Sequence, residues 1–283
     1  MQITKPDEAP VYDAGNLREG KDRESKVLFA GKEGDLGNYR WYYSGGGEGE
    51  WKAPRHKHNF EQFRFVLSGT FEYVTDKRME AGWVGYFPES VHYGPQVRHG
   101  DLTMLTLQFG GASGGGFMSQ RERRQAYDEL LAKGAFEKGA YTWLDADGKR
   151  HRQDSFEAVW EHKMGRKLVY PTPRYTDLII MNPEGSAWVA DKTAPGVARK
   201  WLGAFTERQV RAGFVKLDAG AALDVGKLAG TELMFLTKGQ VAHEGKSHDV
   251  NTAFKIERND GPDSIIAKQD SELFVIQLPD FFS

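Results

Sequence analysis

Short runs of aromatic and β-branched residues, separated by glycine, proline and aspartate, dominate the first part of the chain. The strands that this pattern predicts are Tyr39 to Tyr43, Phe63 to Leu67, Thr70 to Val74, Trp83 to Phe87 and Thr103 to Phe109. Many short strands at such close spacing are typical of an antiparallel sandwich or barrel. The pattern therefore predicts an all-β domain and excludes a helical one.

The composition changes abruptly at the glycine-rich stretch 110–116. Beyond it, Ser119 and Glu122 have the spacing of a capping box, which predicts a helix from Arg121 to Lys133. A second helix is predicted from Phe156 to Met164, after a polar turn. We therefore predict an N-terminal barrel over residues 1–117, a helical connector over 118–168 and a C-terminal barrel over 169–283.

The second β-rich block shows a faint internal repeat of the first. Gly239 closes an apolar run 170 residues after Gly69 closes a similar one, and Gln277 lies between apolar residues 169 residues after Gln108 does. The two offsets come from independent segments and differ by one residue, which favours a duplicated β unit.

Charge and cysteine content exclude several classes of function. Lys and Arg number 38 against 40 Asp and Glu, so no global field gathers nucleic acid or anionic lipid. The chain has no cysteine, which excludes disulfides, thiolate metal sites and a cysteine nucleophile. Residues 1–8 have no apolar core, and no run of 18 apolar residues follows. We expect a cytoplasmic protein without a nucleic-acid or membrane partner.

Three histidines in the first block have a spacing that suits metal binding. His56 and His58 are two residues apart, so on a strand they share a face. Gln62 and Arg64 have the same parity further along, and His92 follows a later strand. Imidazoles from separate strands of a small barrel can close on one divalent ion and leave positions for water and substrate.

These residues resemble the two sequence motifs of the cupin superfamily. The matching positions are His56, His58, Gln62 and Gly69 for the first motif, and Gly82, Pro88, Ser90 and His92 for the second. Gln62 stands in the place of the usual acidic ligand, and His92 is one residue short of the usual spacing. The resemblance implies an all-β bicupin fold, with two double-stranded β-helix (jelly-roll) barrels and a partly helical connector.

The second repeat departs from the motif. Gly226 and Leu228 lie where the two histidines would be, although Glu232 keeps the acidic position. His243 and His248 do not restore the spacing. We therefore expect one metal site, in the N-terminal barrel.

Within the bicupins, the first motif is similar to that of the ring-cleaving dioxygenases of gentisate, salicylate and hydroxynaphthoate. The similarity runs through His56, His58 and the segment 64–67, while Gly94 replaces a further substrate-binding histidine. The resemblance implies Fe(II) held by the three histidines, Arg64 gripping the substrate carboxylate, and a homo-oligomer.

Charge considerations point in the same direction. Three neutral imidazoles leave a divalent metal with its full charge, which favours an anionic, chelating carboxylate as substrate beside O2. Imidazole ligands also suit Zn, Ni or Cu, and Mn is a further alternative. Gln62 could be a weak fourth ligand or could hydrogen-bond a bound water.

Two further residues are candidates for catalysis. A buried Arg64 needs an acidic partner, which is either the substrate carboxylate or an internal salt bridge with a residue such as Glu61 or Glu72. Tyr93 adjoins His92 and could reach a substrate oxygen. Other aromatic residues of this block could line a pocket or simply fill the core.

The leading hypothesis is a metal-dependent dioxygenase acting on a small hydroxylated aromatic or enolic carboxylic acid. One alternative keeps the site but uses the ion as a Lewis acid for isomerisation or hydration. The other is a bicupin that binds a small molecule without turning it over.

Overall fold

The chain forms two compact all-β units in a computed structural model that describes residues 1–13, 15, 17, 19–20, 25–45, 50–226, 230–257 and 260–279. One unit comprises residues 10–181, and the other comprises residues 1–9 together with 182–283. The predicted all-β architecture of two barrels is confirmed. We call the two units the first and the second barrel.

The strands up to residue 181 are β1 (Gln2–Thr4), β2 (Glu19–Gly20), β3 (Ser25–Ala30), β4 (Tyr39–Ser44), β5 (Trp51–Ala53), β6 (Phe60–Ser68), β7 (Thr70–Val74), β8 (Lys77–Glu80), β9 (Val84–Phe87), β10 (Gln96–Arg98), β11 (Thr103–Gly110), β12 (Gly134–Glu137), β13 (Ala140–Leu144), β14 (Arg150–Asp154) and β15 (Ile179–Met181). Two helices, α1 (Gln120–Leu131) and α2 (Ser155–Met164), lie among them. The remaining strands are β16 (Val189–Ala190), β17 (Val197–Phe205), β18 (Val210–Leu217), β19 (Ala222–Val225), β20 (Glu232–Lys238), β21 (Gln240–His243), β22 (Lys246–Asp249), β23 (Ala253–Ile256), β24 (Asp263–Ala267) and β25 (Ser271–Gln277).

The first barrel is built from a six-stranded sheet, β15-β9-β6-β11-β4-β3, and a five-stranded sheet, β2-β5-β10-β7-β8. Side chains alternate between the two faces of each strand. On β6, Gln62, Arg64 and Val66 share the interior face. Val66 belongs to an apolar cluster with Phe71 and Met104, which closes one end of the interior. The polar residues of β6 therefore lie toward the other end.

Both predicted helices are present, and their sequences explain where they begin. The side chain of Ser119 accepts a hydrogen bond from the Glu122 amide while the Glu122 carboxylate accepts one from the Ser119 amide, which is the expected capping box. Asp154 is the N-cap of helix α2, where its carboxylate accepts from two amides, and Gly165 is the C-cap in the left-handed conformation. Neither of these two described helices has the length and apolarity that crossing a membrane requires.

The predicted domain boundaries need correction at both ends. Strand β1 pairs with β23, so residues 1–9 belong to the second barrel rather than the first. The segment between the helices is not only a turn, because β12, β13 and β14 form a three-stranded sheet there. Strand β15 pairs with β9, which extends the first unit to residue 181. The predicted connector is thus part of the first unit.

The second barrel consists of the sheets β1-β23-β20-β25-β18-β17-β16 and β19-β24-β21-β22. Its interior is filled by a continuous apolar cluster to which nearly every strand contributes. The buried members are Val197, Val215, Leu217, Ala221, Leu223, Val225, Met234, Leu236, Val241, Phe254, Ile256, Ile265, Ala267, Leu273 and Val275. Burial of these side chains accounts for the stability of this unit.

Candidate functional site

A cavity of about 150 Å³ opens into the polar end of the first barrel. Its described lining comprises Tyr12, Asp13, Gly15, Leu17, Ser25, Tyr42, Trp51, His56, His58, Phe60, Arg64, Gln96, Arg98, Gln108, Arg123 and Phe156. Helices α1 and α2 contribute one residue each, so the predicted connector helps to enclose the site. A cavity of about 150 Å³ is known to accommodate a benzene molecule, so the space suits a single-ring compound.

His56 and His58 line this cavity together, as predicted. Their ring centroids are 5.0 Å apart. The Nδ1 atom of His56 lies 2.6 Å from the carbonyl oxygen of Pro54, so in its neutral form His56 donates there and keeps its lone pair on Nε2. His58 stacks on Phe60 at 4.4 Å and meets the edge of Phe156 at 4.4 Å. Both imidazoles are held in fixed orientations by their neighbours.

The structure does not bring His92 to the other two histidines. His92 is exposed and lies outside the cavity lining. Its neighbour Tyr93 forms a backbone bridge with His56 and is only 1% exposed. Adjacent residues of extended backbone point to opposite faces, so inward placement of Tyr93 turns His92 outward. The one-residue deficit in the second motif was the sign of this shift, because it placed Tyr93 where the motif has its histidine.

The amide oxygen of Gln62 is fully engaged by protein partners. The Nε2 atom of Gln62 donates to the hydroxyl of Tyr93 at 2.7 Å. Its Oε1 accepts from Nη2 of Arg64 at 3.0 Å and from Nε2 of Gln108 at 3.1 Å. An amide oxygen has two lone pairs, and both are used here. The oxygen of Gln62 therefore bridges protein groups and is not free to bind a metal, whereas the alternative role, a hydrogen bond to a bound water, stays a prediction.

The predicted donor set, His56, His58, His92 and Gln62, does not fit a single metal ion. No three His, Asp or Glu side chains among the described residues are grouped to hold one. The imidazoles of His56 and His58 are the donors that remain at the cavity. They could hold a divalent cation only with water or substrate supplying the other ligands.

Arg64 lies inside the barrel, as its strand parity predicted, and is 4% exposed. Its Nη1 donates to Oε1 of Gln96 at 3.0 Å, and its guanidinium stacks on Phe87 at 4.3 Å. Neither internal salt bridge considered for it forms. Glu61 lies on the opposite face of β6, where it accepts a hydrogen bond from the Ala112 amide. Among the described residues, Arg64 is paired with amides and a phenol and with no carboxylate.

Other cationic residues surround the cavity, and sequence reasoning missed them. Arg98 and Arg123 line it directly. Buried Arg40 donates to Oε1 of Gln108 and stacks on Tyr12 at 4.5 Å. Arg40 could have been noticed as a charged residue within the predicted strand 39–43. Arg123 could not, because it reaches the barrel from helix α1.

The ionisation of Tyr42 reports the positive field in this region. Burial alone, the largest single influence, would raise the pKa of Tyr42. The charges of Arg98, Arg64 and Arg40 outweigh burial, and the pKa lies below its usual value. The one acidic residue in the described lining, Asp13, is bound by Arg124 at 2.7 Å. The cavity is therefore an electropositive site with aromatic walls.

The aromatic residues of this block divide between the two roles considered for them, pocket lining and core. Phe60 lines the cavity. Phe63 instead packs with Tyr86 and Phe109 on the opposite face of the sheet. Tyr93 lies behind the lining and contacts His56 at a ring separation of 4.5 Å. Its predicted catalytic role stays a prediction.

No protein-family model matches the chain, and no curated protein matches it. A candidate dioxygenase from Nostoc punctiforme has a similar structure, with 12% identity, 100% of this chain and 84% of that chain covered, and a TM-score of 0.64. An oxalate decarboxylase from Bacillus subtilis, described for its Mn(II) centres, has 10% identity over 99% of this chain and 78% of that chain, with a TM-score of 0.53. The pirin YhhW from Escherichia coli, in complex with nickel(II), has 13% identity over 98% of this chain and 98% of that chain, with a TM-score of 0.51.

These structures have the cupin fold, and the similarity covers both barrels of this chain. The predicted bicupin fold is confirmed. Identities of 10–13% show a shared fold and assign no residue a role. The finer resemblance to gentisate-type enzymes stays a prediction.

Proposed function

We propose that the first barrel binds a small single-ring carboxylate, with the carboxylate on Arg64 and the ring between the aromatic walls. One observation carries this proposal: the guanidinium of Arg64 is 4% exposed, and its hydrogen-bond partners among the described residues are all neutral. An unpaired buried cation costs several kcal/mol, which an anionic ligand would offset. The cavity beside Arg64 gives such a ligand room.

The hydrogen bonds of Arg64 also prepare it for this role. Gln96 and Gln62 accept from one terminal nitrogen each, which fixes the plane of the guanidinium. Its Nε, buried as well, has no described partner. A carboxylate is the ligand that matches the planar fork of arginine, and a charge-assisted hydrogen bond contributes roughly 1.5–3 kcal/mol.

The walls suit an aromatic or otherwise flat body. Tyr42, Trp51, Phe60 and Phe156 line the cavity. Offset-stacked and edge-to-face contacts with such side chains add ~0.5–1.5 kcal/mol beyond area burial. The walls therefore select a planar acid over an aliphatic acid of the same charge.

A second candidate function, a metal-dependent dioxygenase, is favoured by the two histidines. The hydrogen bond from His56 to the Pro54 carbonyl is the kind of contact that orients a metal-ligating imidazole. His58 is held 5.0 Å away by Phe60 and Phe156. A divalent metal there, with Fe(II), Mn or Ni as candidates, would supply Lewis-acid and redox chemistry. Arg64 would orient a hydroxylated aromatic or enolic acid, and both atoms of O2 would enter the product.

Titration calorimetry of chelator-treated protein with benzoate tests the binding proposal. We expect one site per chain, lost in Arg64→Gln. Arg211→Gln is the matched control. Arg211 is an exposed arginine of the second barrel, where it faces Gln277 as Arg40 faces Gln108 in the first barrel. Equal benzoate affinity in wild type and Arg64→Gln would contradict the proposal.

Metal analysis and oxygen uptake test the second candidate. After anaerobic loading with Fe(II), we expect bound metal to be lost in His56→Ala and retained in His92→Ala, since His92 is outside the cavity. Oxygen uptake with salicylate-like or enolic acids supports the dioxygenase. Turnover without oxygen indicates isomerisation or hydration instead, and binding without turnover indicates a storage or sensing protein.

A further inference from the structure

A second cationic group borders the cavity, formed by Arg123 of α1 and by Arg40 of β4, which is two strands away from β6 and its Arg64. Arg123 lines the cavity and donates to the hydroxyl of Tyr12 at 2.8 Å. Arg40 lies over the ring of the same tyrosine at 4.5 Å and is 4% exposed. Neither arginine has a described carboxylate within ion-pair distance. Two positive charges therefore meet around Tyr12, and their partners within the described part of the chain are aromatic or neutral polar groups.

The two cationic ends are connected by a continuous row of amides. Arg40 on β4 faces Gln108 on β11, and Gln108 faces Gln62 on β6. Arg40 donates to Oε1 of Gln108, whose Nε2 donates to Oε1 of Gln62, which also accepts from Arg64. Three adjacent strands span about 10 Å, at roughly 4.8 Å per step. The row therefore holds Arg40 and Arg64 apart rather than letting one anion bridge them.

We infer that the ligand of this cavity is a dicarboxylate on a flat ring, with one carboxylate on Arg64 and the second on Arg123, supported by the charge of Arg40. This inference rests on the proposed carboxylate-binding function and adds the second anionic group. A single carboxylate at Arg64 leaves the charges around Tyr12 uncompensated. The acid nearest to them in the lining, Asp13, is already held by Arg124 on both oxygens at 2.7 Å.

The lowered pKa of Tyr42 agrees with this arrangement. The charges of Arg98, Arg64 and Arg40 act together on its hydroxyl and overcome the effect of burial. Tyr42 stacks on Tyr12 with ring centroids 5.4 Å apart, so the two tyrosines form a wall between the cationic ends. A flat ring can lie along this wall while its two carboxylates point to opposite ends.

The test compares benzoate with benzene-1,3-dicarboxylate and benzene-1,4-dicarboxylate by titration calorimetry at one fixed ionic strength. We expect the better dicarboxylate to bind the wild type at least about tenfold more tightly than benzoate, as one added charge-assisted contact implies. Arg123→Gln should reduce this ratio to about one. Arg121→Gln, an exposed position on the same helix, is the matched control and should keep the ratio.

Arg123 is chosen because Arg40 is buried in the sheet, where a substitution can impair folding. Equal affinity of the wild type for benzoate and both dicarboxylates would overturn the inference while leaving the carboxylate site intact. A dicarboxylate preference that persists in Arg123→Gln would overturn it as well. Failure of all three acids to bind would overturn both this inference and the proposed function.

Discussion

Side chains that face each other on neighbouring strands form rows across the sheet of each barrel. The two barrels have similar residues in one of these rows and different residues in the next. Gln108 and Gln62 face each other in the first barrel, and Gln277 and Glu232 face each other in the second. In both pairs the glutamine of the later strand donates to the opposite side chain at 3.1 Å. These pairs are separated by the 169- and 170-residue offsets found in the sequence. The duplication thus preserved a polar pair in each interior.

The neighbouring row shows where the barrels diverged. Thr106 faces Arg64 in the first barrel, whereas Val275 faces Met234 at the same places in the second. Met234 joins the apolar cluster that fills the second interior, whereas Arg64 borders a cavity. One row of side chains therefore separates a barrel with a cavity from a barrel with a packed core.

The largest effect is expected when the first barrel's arginine is placed in the second barrel. Met234→Arg would bury a cation within an apolar cluster, which costs about 3–5 kcal/mol of unfolding free energy. Met234→Leu keeps the volume and should cost less than about 1.5 kcal/mol. Chemical denaturation measures both. A loss below 1 kcal/mol in Met234→Arg would show that the second interior already tolerates charge.

A pH effect of similar size is expected from the outer face of the first barrel. Burial raises the pKa of Glu61 to about 7, whereas its counterpart in the second barrel is Thr231. Because the folded state holds the proton more tightly, stability falls as pH rises from 4.5 to about 7, by about 3 kcal/mol in all. Glu61→Gln should match wild type below pH 4 and exceed it above pH 8. Parallel stability profiles for the two proteins would refute this assignment.

The reverse exchange should remove binding without loss of stability. In Arg64→Met the first barrel acquires the residue of the second, and benzoate affinity should fall by roughly 10- to 100-fold, or about 1.5–3 kcal/mol. Removing a buried cation that has no described carboxylate partner relieves its desolvation cost of several kcal/mol. This gain should outweigh the roughly 1–3 kcal/mol lost when the Gln96 oxygen has no donor. Calorimetry and thermal unfolding measure the two effects. A destabilised variant would mean that Arg64 serves the fold rather than a ligand.

The smallest effect is expected for a substitution of Glu232, in the row where the two barrels have similar residues. Burial raises the pKa of Glu232, although the hydrogen bond from Gln277 and the charge of Arg199 offset part of the shift. The charged form is therefore penalised at neutral pH. Glu232→Gln restores the amide pair of the first barrel and should be more stable than wild type at pH 7, with the advantage lost in acid. A variant that is less stable at neutral pH would contradict the shift.

The sequence predicted β4, β6, β7, β9, β11 and both helices because each of these elements has a local pattern. It did not predict the sheet β12-β13-β14, which lies where a turn was expected. His56 and Arg64 were placed correctly by the alternation of side chains along a strand. The same alternation caused the error at His92, since a shift of one residue exchanges the two faces. The one-residue deficit in the second motif was the sequence sign of this shift, and the structure shows that Tyr93 takes the inward position.

The cationic surroundings were beyond sequence reasoning for a different reason. Arg123 and Phe156 come from helices in a segment that composition marked only as a connector. Their arrival at the cavity depends on tertiary packing, which leaves no periodic signal. The sequence also did not show that β1 joins the second barrel. An edge strand of three residues can pair with any open sheet edge, so its place leaves no local signal.

The most direct test of the difference between the barrels is a crystal structure of the protein soaked with 4-bromobenzoate, with the bromine located by anomalous scattering. We expect bromine in the first barrel beside Trp51 or Phe156, with the carboxylate within about 3.2 Å of the Arg64 guanidinium, and none inside the second barrel. A bromobenzoate bound elsewhere, or a first barrel whose cavity stays free of it at saturating concentration, would contradict the assignment of Arg64 as the carboxylate anchor.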